Sequence, residues 1–150
     1  MPMRCGRLRR HHVQREGACA DSAAGWRAGA ADGAEGVELI LGARRDPQFG
    51  AMVLVGTGGV QAELWRDVAL DLAPVTPERA EAMLRSLQGF PLLDGFRGSP
   101  KADVAAVAKA VSAFSVLAAE AGERLQEAEV NPLIAGPWGC LAVDGLVKCG

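Results

Sequence analysis

The order of the patterned segments constrains the fold of this chain most. Two short, apolar, β-branched runs, VELILGA (Val37–Ala43) and AMVLVG (Ala51–Gly56), are bounded by Gly, Pro and Asp, which is typical of strands. The intervening ARRDPQFGA contains Asp46 followed by proline and predicts a loop. The run VQAELWRDVALDL (Val60–Leu72) alternates between apolar and polar residues, so we expect a third extended segment.

Two helices are predicted next. The first has Thr76 as a capping residue and Pro77 at its first position, where no amide hydrogen is needed. Its apolar residues recur at helical spacing, and Gly89 is expected to end it. The second, alanine-rich helix extends from about Asp103 to Gly122 and has one apolar face. The segment PLLDGFRGSPKAD between them is rich in breakers and predicts an irregular loop.

The last patterned segment is a hairpin. The run QEAEVNPLI is followed by the turn AGPWG and by CLAVDGLV, as expected for two antiparallel strands. Strands and helices therefore fall into separate blocks along the chain. This order predicts an α+β fold in which two helices cover one face of a mainly antiparallel sheet.

The first 36 residues differ in composition from the rest. Between Met1 and Gly36 the only branched aliphatic residues are Leu8 and Val13, and the segment has no strand or helix periodicity. Such a segment buries too little apolar surface to offset the entropy lost on ordering, so we expect a disordered arm followed by one domain at 37–150. The neighbouring histidines of this arm, at 11 and 12, are not expected to bind metal or to act in catalysis.

Composition excludes several classes of function. The 150 residues are 49% hydrophobic and 23% charged, with a net charge of −2, which argues against binding to nucleic acid or to a membrane surface. No uninterrupted apolar run approaches the ~20 residues of a membrane span, and no signal peptide is recognised, so we expect a cytoplasmic protein. The four cysteines lack the CxxC spacing of zinc sites.

The final hairpin carries the polar residues of greatest interest. A turn centred on Pro137 and Trp138 places position 131 opposite position 144, and Glu129 shares a strand face with Asn131. Asn131, Asp144 and Glu129 would then form a compact cluster of oxygen ligands, the kind that holds Mg²⁺ together with substrate phosphates. An ordinary solvated polar face explains the same spacing equally well.

Two other segments are candidates for anion binding. The glycine-rich segment (Gly56–Glu63) follows a strand, as phosphate-binding loops do, but fits neither GxGxxG nor GxxxxGK[ST] and is followed by an extended run. A tight turn is therefore the simpler interpretation, and Glu63 at its end is a candidate for the same site as Glu129. Arg97 lies between two glycines and could meet an anion, although a flexible connection between helices is favoured.

Three blocks together resemble one family. They are GVELILGARRDPQFGAMVLVGTGGVQAELWRDVALDLAPV, LLDGFRGSPKADVAAV and EAEVNPLIAGPWGCLAVDGLV. In this order they are similar to the C-terminal part of the ATP-grasp region of NDP-forming acyl-CoA synthetases. These enzymes are the ADP-forming acetate–CoA ligases, which are related to the β-subunit of succinyl-CoA synthetase.

The resemblance implies a nucleotide site with Mg²⁺ and ATP or ADP as cofactors. By this likeness Asn131 and Asp144 match the metal-holding positions, and Glu129 and Glu63 line the same cleft. The implied reaction converts acid, CoA and ATP into acyl-CoA, ADP and phosphate by way of a phosphohistidine. The implied partners are the nucleotide and the remaining synthetase domains or subunit.

The departures from the family shape the functional expectation. The first ATP-grasp lobe, expected before Gly36, is not recognised, nor are the CoA-binding and phosphohistidine domains. We therefore expect a fragment that is inactive alone, or alternatively a non-catalytic module that docks a separately encoded synthetase partner. A dinucleotide-binding oxidoreductase is disfavoured because no βαβ unit follows the glycines. The segment before Gly36 could also be an out-of-frame reading, which upstream DNA without any family-like frame would contradict.

Overall fold

The computed structural model describes residues 35–58 and 66–150, and the first 34 residues of the predicted arm lie outside these ranges. The strands are β1 (Val37–Asp46), β2 (Gly50–Thr57), β3 (Val68–Leu72), β4 (Leu125–Gly136), β5 (Gly139–Ala142) and β6 (Gly145–Cys149). The helices are α1 (Pro77–Ser86), α2 (Phe90–Leu93) and α3 (Val104–Ala121), with 3-10 turns at Phe96–Gly98 and Gly122–Arg124.

The sheet is antiparallel throughout the described residues. Its order is β3-β2-β1-β4-β5, and β6 also pairs with β4. β4 is therefore flanked by β1 on one side and by β5 and β6 in succession on the other. The predicted mainly antiparallel sheet is confirmed. Of the predicted extended run Val60–Leu72, Val68–Leu72 is a strand and residues 66–67 are not, while residues 59–65 lie outside the described ranges.

The turn between β1 and β2 is tighter than predicted. Residues 44–46 and 50, predicted to be loop, continue the two strands, and Asp46 pairs with Gly50. The carboxylate of Asp46 accepts hydrogen bonds from the backbone N–H groups of Gln48 at 2.8 Å and Phe49 at 3.0 Å. In this Asx-type turn the Asp46 side chain accepts hydrogen bonds from the backbone N–H groups that have no strand partner, so both strands can extend to the edge of the turn.

The predicted starts of both long helices are confirmed, as is the predicted cap at Thr76. Thr76 caps α1 by accepting a hydrogen bond from the backbone N–H of Arg79 at 3.1 Å, and Asp103 caps α3 by accepting one from Ala106 at 3.0 Å. The predicted end of α1 at Gly89 is wrong. The helix ends at Ser86 because Leu87 is already extended, and the side chain of Leu87 is buried in the core.

The segment between the two long helices is more regular than predicted. It contains α2 and the 3-10 turn Phe96–Gly98 rather than an irregular loop throughout. Proline at the first turn of α2 is compatible with a helix because the N–H it lacks would have no intrahelical partner. Gly95, with φ +87°, then reverses the chain after Asp94.

Both long helices pack on the same face of the sheet. Buried side chains from α1 and α3 share one core with inward-facing residues of the central strands: Leu39, Leu41, Val53, Val55, Ala80, Leu84, Val107, Val111, Ala128 and Leu133. The predicted two-helix cover is confirmed. The segment Val104–Arg124 is long and apolar enough to cross a bilayer, but its buried residues contact the sheet as those of a core helix do. The opposite sheet face, called the open face below, is not covered by these helices.

Candidate functional site

The polar residues of β4 lie on the open face of the sheet. Ala128 and Val130 are buried in the core, whereas Glu127 and Glu129 are half-buried and Asn131 is exposed. The Nδ2 of Asn131 donates a hydrogen bond to Oε1 of Glu129 at 3.2 Å, so these two side chains share a face as predicted.

The predicted pairing across the hairpin is confirmed. The backbone N–H of Asn131 donates to the carbonyl of Asp144 at 3.0 Å, and the N–H of Val143 donates to the carbonyl of Pro132, also at 3.0 Å. Asp144 lies at the break between β5 and β6. Directly opposed residues of an antiparallel pair have Cβ atoms about 4.5–5.5 Å apart. The strands thus bring Asp144 beside the Glu129–Asn131 pair.

A bulge lies at the same point of β4 and was not predicted. Leu39 pairs with Leu133 and Leu41 with Val130, so β4 has one residue more than β1 between these pairs. The extra residue reverses the alternation, because Val130 and Leu133 both enter the core although three positions separate them. The signal available in the sequence was Pro132, since proline cannot donate a ladder hydrogen bond and marks edges and bulges.

The hairpin residues fit a hard cation by their chemistry. The hydrogen bond to Glu129 uses the amide nitrogen of Asn131 and leaves the amide oxygen available to an ion. Carboxylate and amide oxygens from Glu129, Asn131 and Asp144 are the ligand types that Mg²⁺ prefers. No group of three or more His, Cys, Asp or Glu side chains able to hold a metal occurs in residues 35–58 and 66–150.

The glycine-rich segment starts at the end of β2. Gly56 and Thr57 are still in the strand, and the N–H of Gly58 donates to the carbonyl of Glu38 at 2.8 Å. Glu63 lies outside the described residues, so its place relative to Glu129 stays a prediction. Thr57 pairs with Leu39 of β1, and Leu39 pairs with Leu133 of β4. Leu133 is two residues beyond Asn131 along β4.

A buried carboxylate where the described chain resumes was missed by sequence reasoning. Asp67 is 8% exposed, and its two oxygens accept hydrogen bonds from the backbone N–H groups of Gln88 and Gly89, each at 2.7 Å. A cavity of about 340 Å³ adjoins this contact and is lined by Thr57, Asp67, Gln88, Gly89, Pro91, Leu92 and Phe96. Nothing in the sequence distinguishes Asp67 from other acids near strand ends.

Arg97 is held in an unusual backbone conformation. Its φ is +54°, between Gly95 and Gly98, which also have positive φ. Its guanidinium lies over the ring of Phe96, with 5.1 Å between Cζ and the ring centroid. The nearby Lys101 pairs with Asp94 at 3.6 Å. Anion binding by Arg97 stays a prediction.

Comparison with known proteins identifies the family. The model of the ATP-grasp domain matches residues 28–149. The chain belongs to the ATP-grasp family. Its α+β architecture is that of an ATP-grasp domain in part, as predicted.

Curated relatives of this ATP-grasp chain include ADP-forming acetate–CoA ligases. The beta subunit of acetate–CoA ligase (ADP-forming) I from Pyrococcus furiosus is 38% identical over 109 residues, which are 73% of this chain and 47% of that subunit. Acetate–CoA ligase (ADP-forming) I from Archaeoglobus fulgidus is 39% identical over 109 residues, which are 73% of this chain and 16% of that protein.

A solved structure extends the likeness to three dimensions. The dinucleotide-forming acetyl-coenzyme A synthetase 1 of Ca. Korarchaeum cryptofilum, in complex with coenzyme A and Mg-AMPPCP, superimposes with a TM-score of 0.74 and 40% identity. The match covers 78% of this ATP-grasp chain and 55% of that chain. The chain thus spans about half the length of the polypeptide it matches there.

Proposed function

We propose that this chain supplies the Mg²⁺-holding strands of the nucleotide site in an ADP-forming acyl-CoA synthetase. That enzyme would convert acid, CoA and ATP into acyl-CoA, ADP and phosphate. Asn131 and Asp144 are the proposed metal ligands, and Glu129 and Glu63 are the proposed cleft residues. The proposal is carried by one observation, the backbone hydrogen bond that joins Asn131 to Asp144 across the hairpin.

Each residue has a distinct proposed task. Glu129 accepts the hydrogen bond from Asn131 and so fixes the rotation of that amide, while the two hairpin strands fix the spacing of Asn131 and Asp144. When bound, Mg²⁺ neutralises charge on the phosphoryl group, and the protein contributes position. Asn131 is on β4, and Asp144 is in the two-residue break between β5 and β6, where its carbonyl is bonded to the N–H of Asn131. Because neither ligand is on a long loop, little ordering is required when the nucleotide arrives.

The isolated chain is proposed to bind nucleotide weakly and to have no ligase activity. The matched segment is only 47% of the Pyrococcus furiosus subunit and 16% of the Archaeoglobus fulgidus protein, and the full activity belongs to those longer proteins. An incomplete active site neither holds the reactants in a productive geometry nor excludes water from them. Formation of ATP from acetyl-CoA, ADP and phosphate by the purified chain alone would refute this point.

The metal ligands are tested by titrating the full chain with ADP in the presence and absence of Mg²⁺. Binding is monitored by the shifts of backbone amide signals in ¹⁵N-resolved NMR spectra. We expect Asn131→Ala and Asp144→Ala each to weaken Mg²⁺-dependent binding by at least about tenfold. The matched control is Glu127→Gln, on the same strand face, where Glu127 pairs instead with Lys148 at 2.9 Å. Unchanged Mg²⁺ dependence in both alanine variants, with a folded spectrum, would refute the assignment.

A second candidate function is that of a docking module for the remainder of an ATP-grasp domain. On β3, Val68 is 44%, Leu70 57% and Leu72 47% exposed. Their strand partners Gly56, Leu54 and Met52 place all three on the open face, where no described helix covers them. The occupant we propose is the part of the relatives' ATP-grasp polypeptide that this chain does not span.

Co-purification with that separately expressed part tests the docking role. Leu70→Asp should abolish the association because it places a charge in an apolar contact. Leu117→Asp is the matched control, since Leu117 is a 44% exposed leucine on α3, away from the open face. Equal loss of association in both variants would count against docking at β3.

A further inference from the structure

The backbone of β3 presents hydrogen-bonding groups at its outer edge. Within the described residues β3 pairs only with β2. At one end of this ladder the N–H of Thr57 donates to the carbonyl of Asp67 at 3.1 Å. At the other end the N–H of Ala73 donates to the carbonyl of Ala51 at 2.9 Å. Because hydrogen-bonded and non-hydrogen-bonded pairs alternate along an antiparallel ladder, the residues whose N–H and C=O groups point away from β2 are Val68, Leu70 and Leu72.

The same three residues carry the exposed apolar side chains of β3. An edge that combines outward backbone groups with apolar side chains is a template for pairing with another strand. One of the outward groups is already engaged, because Oδ1 of Asp71 accepts a hydrogen bond from the N–H of Leu72 at 2.8 Å. The other carboxylate oxygen of Asp71 accepts one from Nε of Arg79 on α1. Asp71 therefore limits how far a second strand can pair along this edge.

The sequence of β3 is complementary to itself in antiparallel pairing. When two copies meet with Leu70 opposite Leu70, Val68 lies opposite Leu72 and Asp71 lies opposite Ala69. The apolar side chains then face one another, and the acid faces a small apolar residue. A shift of two residues in one direction places Asp71 opposite Asp71 of the second copy, and a shift in the other direction places it opposite an aspartate at position 67. Because like charges directly opposite each other are destabilising, charge selects the register centred on Leu70.

We propose that this chain pairs with a second copy of itself through the edge of β3, in an antiparallel ladder centred on Leu70. The two sheets then join into one, with Val68 and Leu72 of each copy beside those of the other. A second copy is the occupant because the edge complements itself in both apolar pattern and charge. The pairing uses the backbone edge of β3, whereas docking of the remainder of an ATP-grasp domain would cover the open face.

Sedimentation equilibrium of the full chain over a range of concentrations tests the pairing, and we expect a reversible equilibrium between monomer and dimer. Leu70→Lys and Leu70→Glu each place like charges directly opposite in the ladder, so each variant alone should dimerise more weakly by on the order of tenfold. An equimolar mixture of the two variants should recover the association, because opposite charges then face each other. Leu117→Lys is the matched control, since it changes an exposed leucine of α3 and should leave dimerisation unchanged.

Two further measurements examine the backbone contact. As the protein concentration rises, amide hydrogen exchange at Val68 and Leu70 should slow, whereas exchange at Ala69, which already bonds to β2, should change little. Asp71→Ala releases the N–H of Leu72 for pairing with the carbonyl of Val68 in the second copy. We expect this variant to dimerise more tightly by on the order of tenfold.

Several outcomes would overturn self-pairing at β3. A chain that is monomeric at every concentration, or that associates only with the separately expressed remainder of the domain, has no such contact. A dimer that persists in both Leu70 variants is formed elsewhere. A mixture of the Lys and Glu variants that associates no better than either alone contradicts the register centred on Leu70. If a Leu70 variant does not fold, Asp71→Ala decides, and dimerisation no tighter than that of the unmodified chain refutes the ladder.

Discussion

Substitution of Gly89 by alanine tests the close packing at the contact with Asp67. The backbone of Gly89, with φ −79° and ψ 0°, suits any residue, so only space opposes a side chain there. Because the added Cβ would lie 2.4 Å from Cγ2 of Thr57, the backbone must move away. Overpacking of this kind costs about 1–3 kcal/mol. The same movement lengthens the hydrogen bond from Gly89 to Asp67.

The expected loss of stability is large enough to measure. For a domain of about 100 residues, each kcal/mol lowers the melting temperature by about 4–8 °C. Chemical denaturation and thermal melting of Gly89→Ala should therefore both report the change. Gly42→Ala is the matched control, because its Cβ would meet Cδ2 of Leu54 at an ordinary 3.8 Å. That control should be neutral or slightly stabilising.

A double-mutant cycle identifies the clash as the cause. Thr57→Ser removes Cγ2, the atom that the new Cβ would meet, and leaves the hydroxyl in place. We expect Thr57→Ser to recover a large part of the stability lost in Gly89→Ala, with a coupling of about 1 kcal/mol or more. Strict additivity of the two substitutions, or equal stability of Gly89→Ala and Gly42→Ala, would refute the packing argument.

Three further predictions concern stability. The pKa of Asp71 is lowered chiefly by a hydrogen bond from Arg79, so this pair stabilises the fold above the unfolded-state pKa and the contribution is lost as pH falls through the lower folded-state value. The free energy of unfolding, measured at a series of acid pH values, should contain a contribution of about 0.2–1 kcal/mol from this surface pair. That contribution should be absent in Asp71→Asn. Ser115→Ala should cost about 1–3 kcal/mol in chemical denaturation because the buried N–H of Val75 loses its acceptor. Leu84→Ala should cost about 2–5 kcal/mol in the same assay, since Leu84 is 0% exposed, and a cost below 1 kcal/mol would contradict its core position.

Local chemistry made much of the fold predictable. The caps at Thr76 and Asp103 are short-range signals, because each side chain bonds a backbone N–H three residues later. The pairing of Asn131 with Asp144 was predictable for a similar reason, since a tight turn fixes the register of the strands it joins.

Features that depend on distant neighbours were not predictable. Pro132 signals an irregularity in β4, but the register of the bulge is set by the pairing of β4 with β1, which is far away in the sequence. The buried position of Asp67 depends on hydrogen bonds from the backbone of Gln88 and Gly89, a contact that no local pattern encodes. The end of α1 was misplaced because burial of Leu87 in the core, rather than a glycine signal, decides where the helix stops.

The position of β4 between β1 and the last two strands has a consequence for synthesis on the ribosome. β1 can pair with β2 as soon as both strands have emerged. The other edge of β1 stays unpaired until β4 is synthesised, which happens after both long helices. Contacts between residues this far apart in sequence form late, because the chain loses the entropy of closing a long loop before the contacts contribute stabilising free energy. Asp144 follows later still. The end of the hairpin with the proposed metal ligands is thus assembled last, so a chain released early would have a helix-covered core and an unpaired inner strand, without that proposed site.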